Sequence, residues 1–152
     1  MIAVFTHQSA FDTSPAIKFL ADAIAPYGEI KRAFTVAAVD ANTGIYETFD
    51  QTNVSFEELP TAVMASSSIP FVFPPQHFHG FVLMDGGTVY DVNIDSAVNQ
   101  CLDMGFEEKD IIMDVVVCGD SERHGEKISM NAYTNFSNGK TEHDFYVNTN
   151  SI

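Results

Sequence analysis

The sequence predicts an α/β fold, with a parallel or mostly parallel sheet flanked by helices. Three observations carry this expectation. Residues 81–84, "FVLM", and 110–119, "DIIMDVVVCG", are short apolar runs with little polar alternation, the pattern of strands covered on both faces. Between them "NIDSAVNQCLDMG" repeats its apolar residues at helical spacing. Strand, helix, strand across 81–118 is a βαβ unit, which closes with its strands parallel and its helix on the sheet.

The remaining elements follow in chain order. "DTSPAIKFLADAIAPYG" is a helix that Asp12 or Ser14 can cap, with Pro15 in the first turn, where a missing N–H costs nothing. Ile17, Leu20, Ala23 and Ile24 share its inward stripe, and Pro26 and Gly28 end it. "RAFTVAAVDANTGIYETFD" is a hairpin, two β-prone runs joined by the turn-forming "DANTG". "FEELPTAVMASSS" is a second helix, with Ser55 and Glu58 at capping-box spacing. "IPFVFPP" is expected to be extended, because a proline biases its preceding residue away from helix. In the helix after the glycines Ala97, Val98, Cys101 and Leu102 face inward, and Gly105 is placed to stop it. From residue 120 the chain is polar and asparagine-rich, with a hairpin expected at Asn138–Gly139. The whole of 1–152 is expected to be one domain, with 120–152 as a variable tail.

Composition narrows the function classes. Twenty-one acidic residues against seven Lys and Arg give a net charge of −14. Nucleic acid and anionic bilayers reward a basic surface, so neither is an expected partner. No stretch approaches the ~20 apolar residues of a membrane span. The start, "MIAVFTHQSAFD", lacks the basic region of a signal peptide, and Cys101 and Cys118 read as buried thiols of a reducing compartment, so a cytoplasmic protein is expected, with peripheral membrane association as the alternative.

Asp85 is the leading candidate for chemistry. It ends an apolar strand and is followed by Gly86 and Gly87, whose backbone can approach a neighbour closely or adopt positive φ. Ligands of open α/β sheets collect at such carboxyl ends. Taken alone, Asp-Gly-Gly after an apolar run reads more readily as a turn. Other clusters read as structural: Ser66, Ser67 and Ser68 as helix-end caps, His77 and His79 as a surface loop, and the thirteen phenylalanines as core volume.

The order of motifs adds a resemblance. "ASSSIPFVFPP", then "FVLMDGG", an amphipathic helix and "DVVVCG" resemble the second half of the patatin-like phospholipase domain, and "FDTSPAIKFL" and "AAVDANTGIYETF" resemble its earlier segments, so that the likeness spans about Phe11 to Gly119. It implies hydrolysis of a fatty acyl ester through an acyl-serine, with no metal or other cofactor. Asp85 matches the general base of the family's Ser–Asp dyad, and Gly86 and Gly87 match its glycines. Two departures stand beside it. The family's Asn and Pro after the glycines are replaced by Asp91 and Asn93, both good helix caps. More seriously, these 152 residues contain no Gly-x-Ser-x-Gly elbow and no glycine-rich oxyanion loop; "CGDSERHG" has Arg123 where the closing glycine belongs and reads as a polar loop. Three readings therefore stay open: part of an active hydrolase whose nucleophile lies elsewhere, an inactive relative serving as an assembly subunit, or an unrelated binding module. A lipid acyl ester and a protein partner covering the gap are the expected partners of the first.

Overall fold

A computed structural model of the chain describes residues 9–90 and 92–116. Residues 9–89 and 93–111 form one unit; residues 90, 92 and 112–116 belong to a second, in which those residues form neither helix nor strand.

In the first unit helix α1 (Ser14–Ile24) precedes the hairpin β1 (Thr35–Asp40) and β2 (Tyr46–Asp50). Helix α2 (Leu59–Ser66), strands β3 (Gln76–Phe78) and β4 (Phe81–Asp85), and helix α3 (Ile94–Asp103) follow. The strands form a four-stranded sheet in the order β2-β1-β4-β3, and every pairing in it is antiparallel. The helices and sheet make the fold α/β in composition, but the expected parallel arrangement is not the one adopted. Two features account for the difference. His79 and Gly80 form a two-residue turn with φ of 49° and 86°. Positive φ at both positions is the requirement of a tight hairpin whose twist matches its strands, so β3 must return antiparallel as β4. Secondly, residues 111–116, expected to be the second strand of a βαβ unit, form no strand, and Ile112 and Val116 are largely exposed. Residues 117–119 of that run, Cys118 and the Asn138–Gly139 turn lie outside the described residues.

The local signals at element ends are realised closely. Asp12 Oδ1 accepts from the Ser14 N–H (3.0 Å) and hydroxyl (2.8 Å) at the start of α1. Ser55 and Glu58 make the reciprocal bonds of a capping box ahead of α2, Ser55 N–H to Glu58 Oε2 at 3.0 Å and Glu58 N–H to Ser55 Oγ at 3.3 Å. Asn93 Oδ1 caps α3 through the Ser96 N–H, and Gly105, at φ 91°, ends it. There the Phe106 N–H reaches Cys101 O and the Gly105 N–H reaches Leu102 O, the two bonds of a Schellman stop. The inward stripes of α1 and α3 are only half-buried; Ala23 is exposed, and Cys101 is a half-buried free thiol.

"IPFVFPP" departs from its expectation. Residues 69–72 make a turn closed by the Val72 N–H on Ile69 O at 3.1 Å, with Phe71 at φ 69°. Proline at the second position favours such a turn, and positive φ at the third suits the type II form, so Pro70 initiates a bend here.

The core lies on the face of the sheet that α2 covers. Ala38, Phe49, Val54, Ala62, Ala65, Phe78 and Leu83 form one buried cluster, with Phe49 edge-on to Phe78 at 5.2 Å. Alternation explains the membership. Ala38 on β1, Phe49 on β2 and Leu83 on β4 share this face, while their chain neighbours point to the other. Fully burying a leucine such as Leu83 contributes ~1.5–3 kcal/mol.

Candidate functional site

Asp85 is the last residue of β4, which lies between β1 and β3 and is therefore an interior strand. It is opposite Ala38 on β1, so its side chain shares the α2 face with Leu83 two residues earlier. The backbone does not fold back after it. Gly86–Thr88 form a single 3-10 turn, and Asp85 caps it, one carboxylate oxygen accepting the Gly87 N–H at 2.8 Å while its own carbonyl accepts the Thr88 hydroxyl at 2.8 Å.

Gly86 holds this geometry by its lack of a side chain. A Cβ there would lie 2.6 Å from the Ala37 carbonyl oxygen and 3.0 Å from its carbon, both backbone atoms of β1. Of the two reasons for a glycine weighed from the sequence, close approach is the one that applies here; Gly86 is buried and is not among the residues with positive φ. The turn after Asp85 thus packs directly on the neighbouring strand.

The serine cluster comes to the same end of the sheet. Ser68 is fully buried, and its carbonyl accepts the Asp85 N–H at 3.0 Å. The hydroxyls of Ser67 and Ser68 donate back to Val63 O (2.9 Å) and Met64 O (2.8 Å), one helical turn earlier. Serines engaged in this way finish a helix and are not poised to attack an ester. Both histidines are exposed, but only His79 lies in a loop. His77 is an exposed residue of β3, and His79 sits in the hairpin turn, its ring stacked on Phe78 at 4.0 Å and Nε2 3.2 Å from Glu58 Oε1. The Ser55 N–H, then the Ser55 hydroxyl, then His79 hold the Glu58 carboxyl below its ordinary range. Among the described residues no three His, Cys, Asp or Glu are grouped to hold a metal ion. Nor is any helix among them long and apolar enough to cross a membrane.

Two features escaped the sequence reading. Asp40 at the end of β1 is buried: Oδ2 accepts the Thr43 hydroxyl at 2.8 Å, and Oδ1 accepts the Val82 N–H at 3.2 Å and the Asn42 N–H at 3.4 Å. Its place at the head of "DANTG" was the available signal, since aspartate commonly closes such turns on its own backbone. The second feature is a polar cleft of about 370 Å³ between α3 and the hairpin, lined by Thr35, Thr48, Asp50, Gln51, Ser96 and Gln100 among others. Thr35, Thr48 and Asp50 alternate out of register with Ala38 and Phe49, so the cleft is on the opposite face of the sheet from Asp85. Gln100 closes its floor, with Nε2 donating to Phe34 O at 2.8 Å and Gln51 Oε1 at 2.9 Å.

An interior strand ending in a capped Asp-Gly-Gly turn, braced by a helix that ends in serines, is the setting in which the comparison with known families falls. The model of the patatin-like phospholipase family matches residues 2–98, and the chain belongs to that family. The matched span contains all four strands, the serine cluster and Asp85. No curated protein matches the chain.

Proposed function

We propose that this chain carries the dyad aspartate of a lipid acyl hydrolase of the patatin-like type. Asp85 is the base, and the serine nucleophile and oxyanion donors come from outside these 152 residues. The observation that carries the proposal is Asp85 itself, a half-buried carboxylate at the carboxyl end of an interior strand, kept out of a hairpin by the Gly86 turn, within the span the family matches. In the reaction the carboxylate takes the proton of the serine hydroxyl as its oxygen attacks the acyl carbonyl. The proton passes to the departing alcohol when the tetrahedral intermediate collapses to the acyl-serine. Asp85 then takes a proton from water as the water oxygen attacks the acyl-serine, and it returns that proton to the serine oxygen when the second tetrahedral intermediate collapses and the fatty acid leaves.

In protein that contains the serine, Asp85→Asn keeps size and removes only the base, and is expected to lower kcat by ~10²-fold or more, the usual contribution of a general base. Activity within about tenfold of the parent would remove Asp85 from the mechanism. The 152-residue chain assayed by itself on a short-chain nitrophenyl ester is expected to show no turnover above an Asp85→Asn control.

The absence of a Gly-x-Ser-x-Gly elbow from the sequence favours a second reading, a catalytically inactive patatin-like subunit that serves in assembly. The same assay separates the two: an Asp85-dependent hydrolysis in any complex that contains this chain excludes the second.

A further inference from the structure

We infer that Ser68 is the positioning residue for Asp85. It acts through its peptide, and its side chain holds that peptide in place. The inference rests on the reading of Asp85 as the dyad base, which it deepens.

The argument begins with the ladder of β4. Along a strand successive N–H groups point to alternate sides, and the Val82 carbonyl is taken from the β1 side by the Ala41 N–H at 2.7 Å. Leu83 and Asp85 therefore turn their N–H groups toward the β3 side. β3 is only three residues long, and its register ends at Gln76 opposite Leu83. Two residues further on, Asp85 has none of the described strands beside it on that side. The Ser68 carbonyl fills the position and accepts the Asp85 N–H at 3.0 Å. A strand end is where backbone frays, so this bond sets how firmly the carboxylate is aimed.

The Ser68 carbonyl is not in α2, which ends at Ser66, and must be fixed by something other than the helix ladder. Ser68 Oγ donates to Met64 O at 2.8 Å and its N–H to Ala65 O at 3.3 Å. The hydroxyl thus ties the peptide to the last turn of α2, in surroundings that leave no part of Ser68 exposed. Any residue has a carbonyl at this position; a serine also has the bond that orients it.

The test is amide hydrogen exchange on the folded chain, read as the ratio of the Asp85 rate to the Leu83 rate. Both amides face the same side of one strand, so a general loss of stability moves them together and leaves the ratio unchanged. In Ser68→Ala the ratio is expected to rise about tenfold, the effect of losing roughly one net hydrogen bond at Asp85 alone. Ser68→Cys keeps the volume with a poor donor and is expected to do the same, which preserves the test if the alanine variant does not fold. Ser68→Thr, whose hydroxyl can make the same back-bond, is expected to restore the ratio. A ratio within about twofold of the parent in the alanine or cysteine variant overturns the assignment. The readout involves no hydrolysis, so it separates the two claims. Unimpaired activity in Asp85→Asn would defeat the dyad reading and leave the anchoring intact, and an unchanged ratio would do the reverse.

Discussion

Gly86→Ala is the substitution whose cost the structure specifies most directly. The added methyl would sit 2.6 Å from Ala37 O, 3.0 Å from Ala37 C and 3.4 Å from Ala38 N. All three are backbone atoms of β1, and β1 is hydrogen-bonded on one side to β2 and on the other to β4. No flexible side chain can swing aside, so either the turn after Asp85 lifts by most of an ångström or the two central strands separate. Forcing a methyl into a packed interior costs ~1–3 kcal/mol. Alanine also narrows the unfolded ensemble, which returns ~0.4–1 kcal/mol where the native φ suits it. The net expectation is a loss of about 1–2 kcal/mol. With a urea m-value near 2 kcal/mol per molar, the unfolding midpoint falls by roughly 0.5–1 M at unchanged m. Gly44 supplies a control, because it has φ 73° and nothing within 4 Å of an added Cβ. Its requirement is conformational, so Gly44→Asn is milder than Gly44→Ala, asparagine tolerating the left-handed region. At Gly86 the obstacle is the Cβ itself, and asparagine is expected to be no milder than alanine. A Gly86→Ala midpoint that corresponds to less than about 0.5 kcal/mol would refute the close-approach argument.

Leu83→Ala removes a fully buried side chain from the centre of the core cluster and is expected to cost ~2–5 kcal/mol in the same urea titration. Ser55→Ala deletes the hydroxyl half of the capping box before α2 and is expected to cost ~0.5–1 kcal/mol, measured by thermal unfolding. The Thr43 hydroxyl, and then the Val82 and Asn42 N–H groups, hold the Asp40 carboxyl below its ordinary range. A carboxyl whose folded pKa is depressed contributes stability that is present above its unfolded pKa and is lost as pH falls through the folded one. Stability of the parent should therefore decline on acidification from the ordinary aspartate range downward. Asp40→Asn should start lower at neutral pH and flatten that decline, and an equally steep decline in the variant would remove Asp40 from the account.

What the sequence determined by itself is the set of features whose causes lie within a few residues. Asn93 caps α3 because its side chain reaches the N–H three residues on, and Gly105 stops it because the chain must turn left-handed there. Ser55 and Glu58 find each other across one turn, and "DANTG" brings Tyr46–Asp50 back onto Thr35–Asp40. The order of such motifs also sufficed for the family and for Asp85 at a strand's carboxyl end. Strand direction was different in kind. An apolar run such as "FVLM" states that a strand is covered, not which way its neighbours run, and the His79–Gly80 turn that decides β3 against β4 looked like loop. The same limit applies at "IPFVFPP", where Pro70 opens a bend that ends with Phe71 at positive φ. Only the tertiary structure showed why residue 86 is glycine, since the atom that forbids a side chain belongs to Ala37, forty-nine positions away. It also decided that the Asp85 N–H meets Ser68, because that bond exists only once β3 has ended two residues short and α2 has brought its last turn alongside. Contacts distant in sequence leave no periodicity behind them, and the backbone of Asp85 is held to Ala38 and Ser68 by such contacts, while the cap on the Gly87 N–H is local.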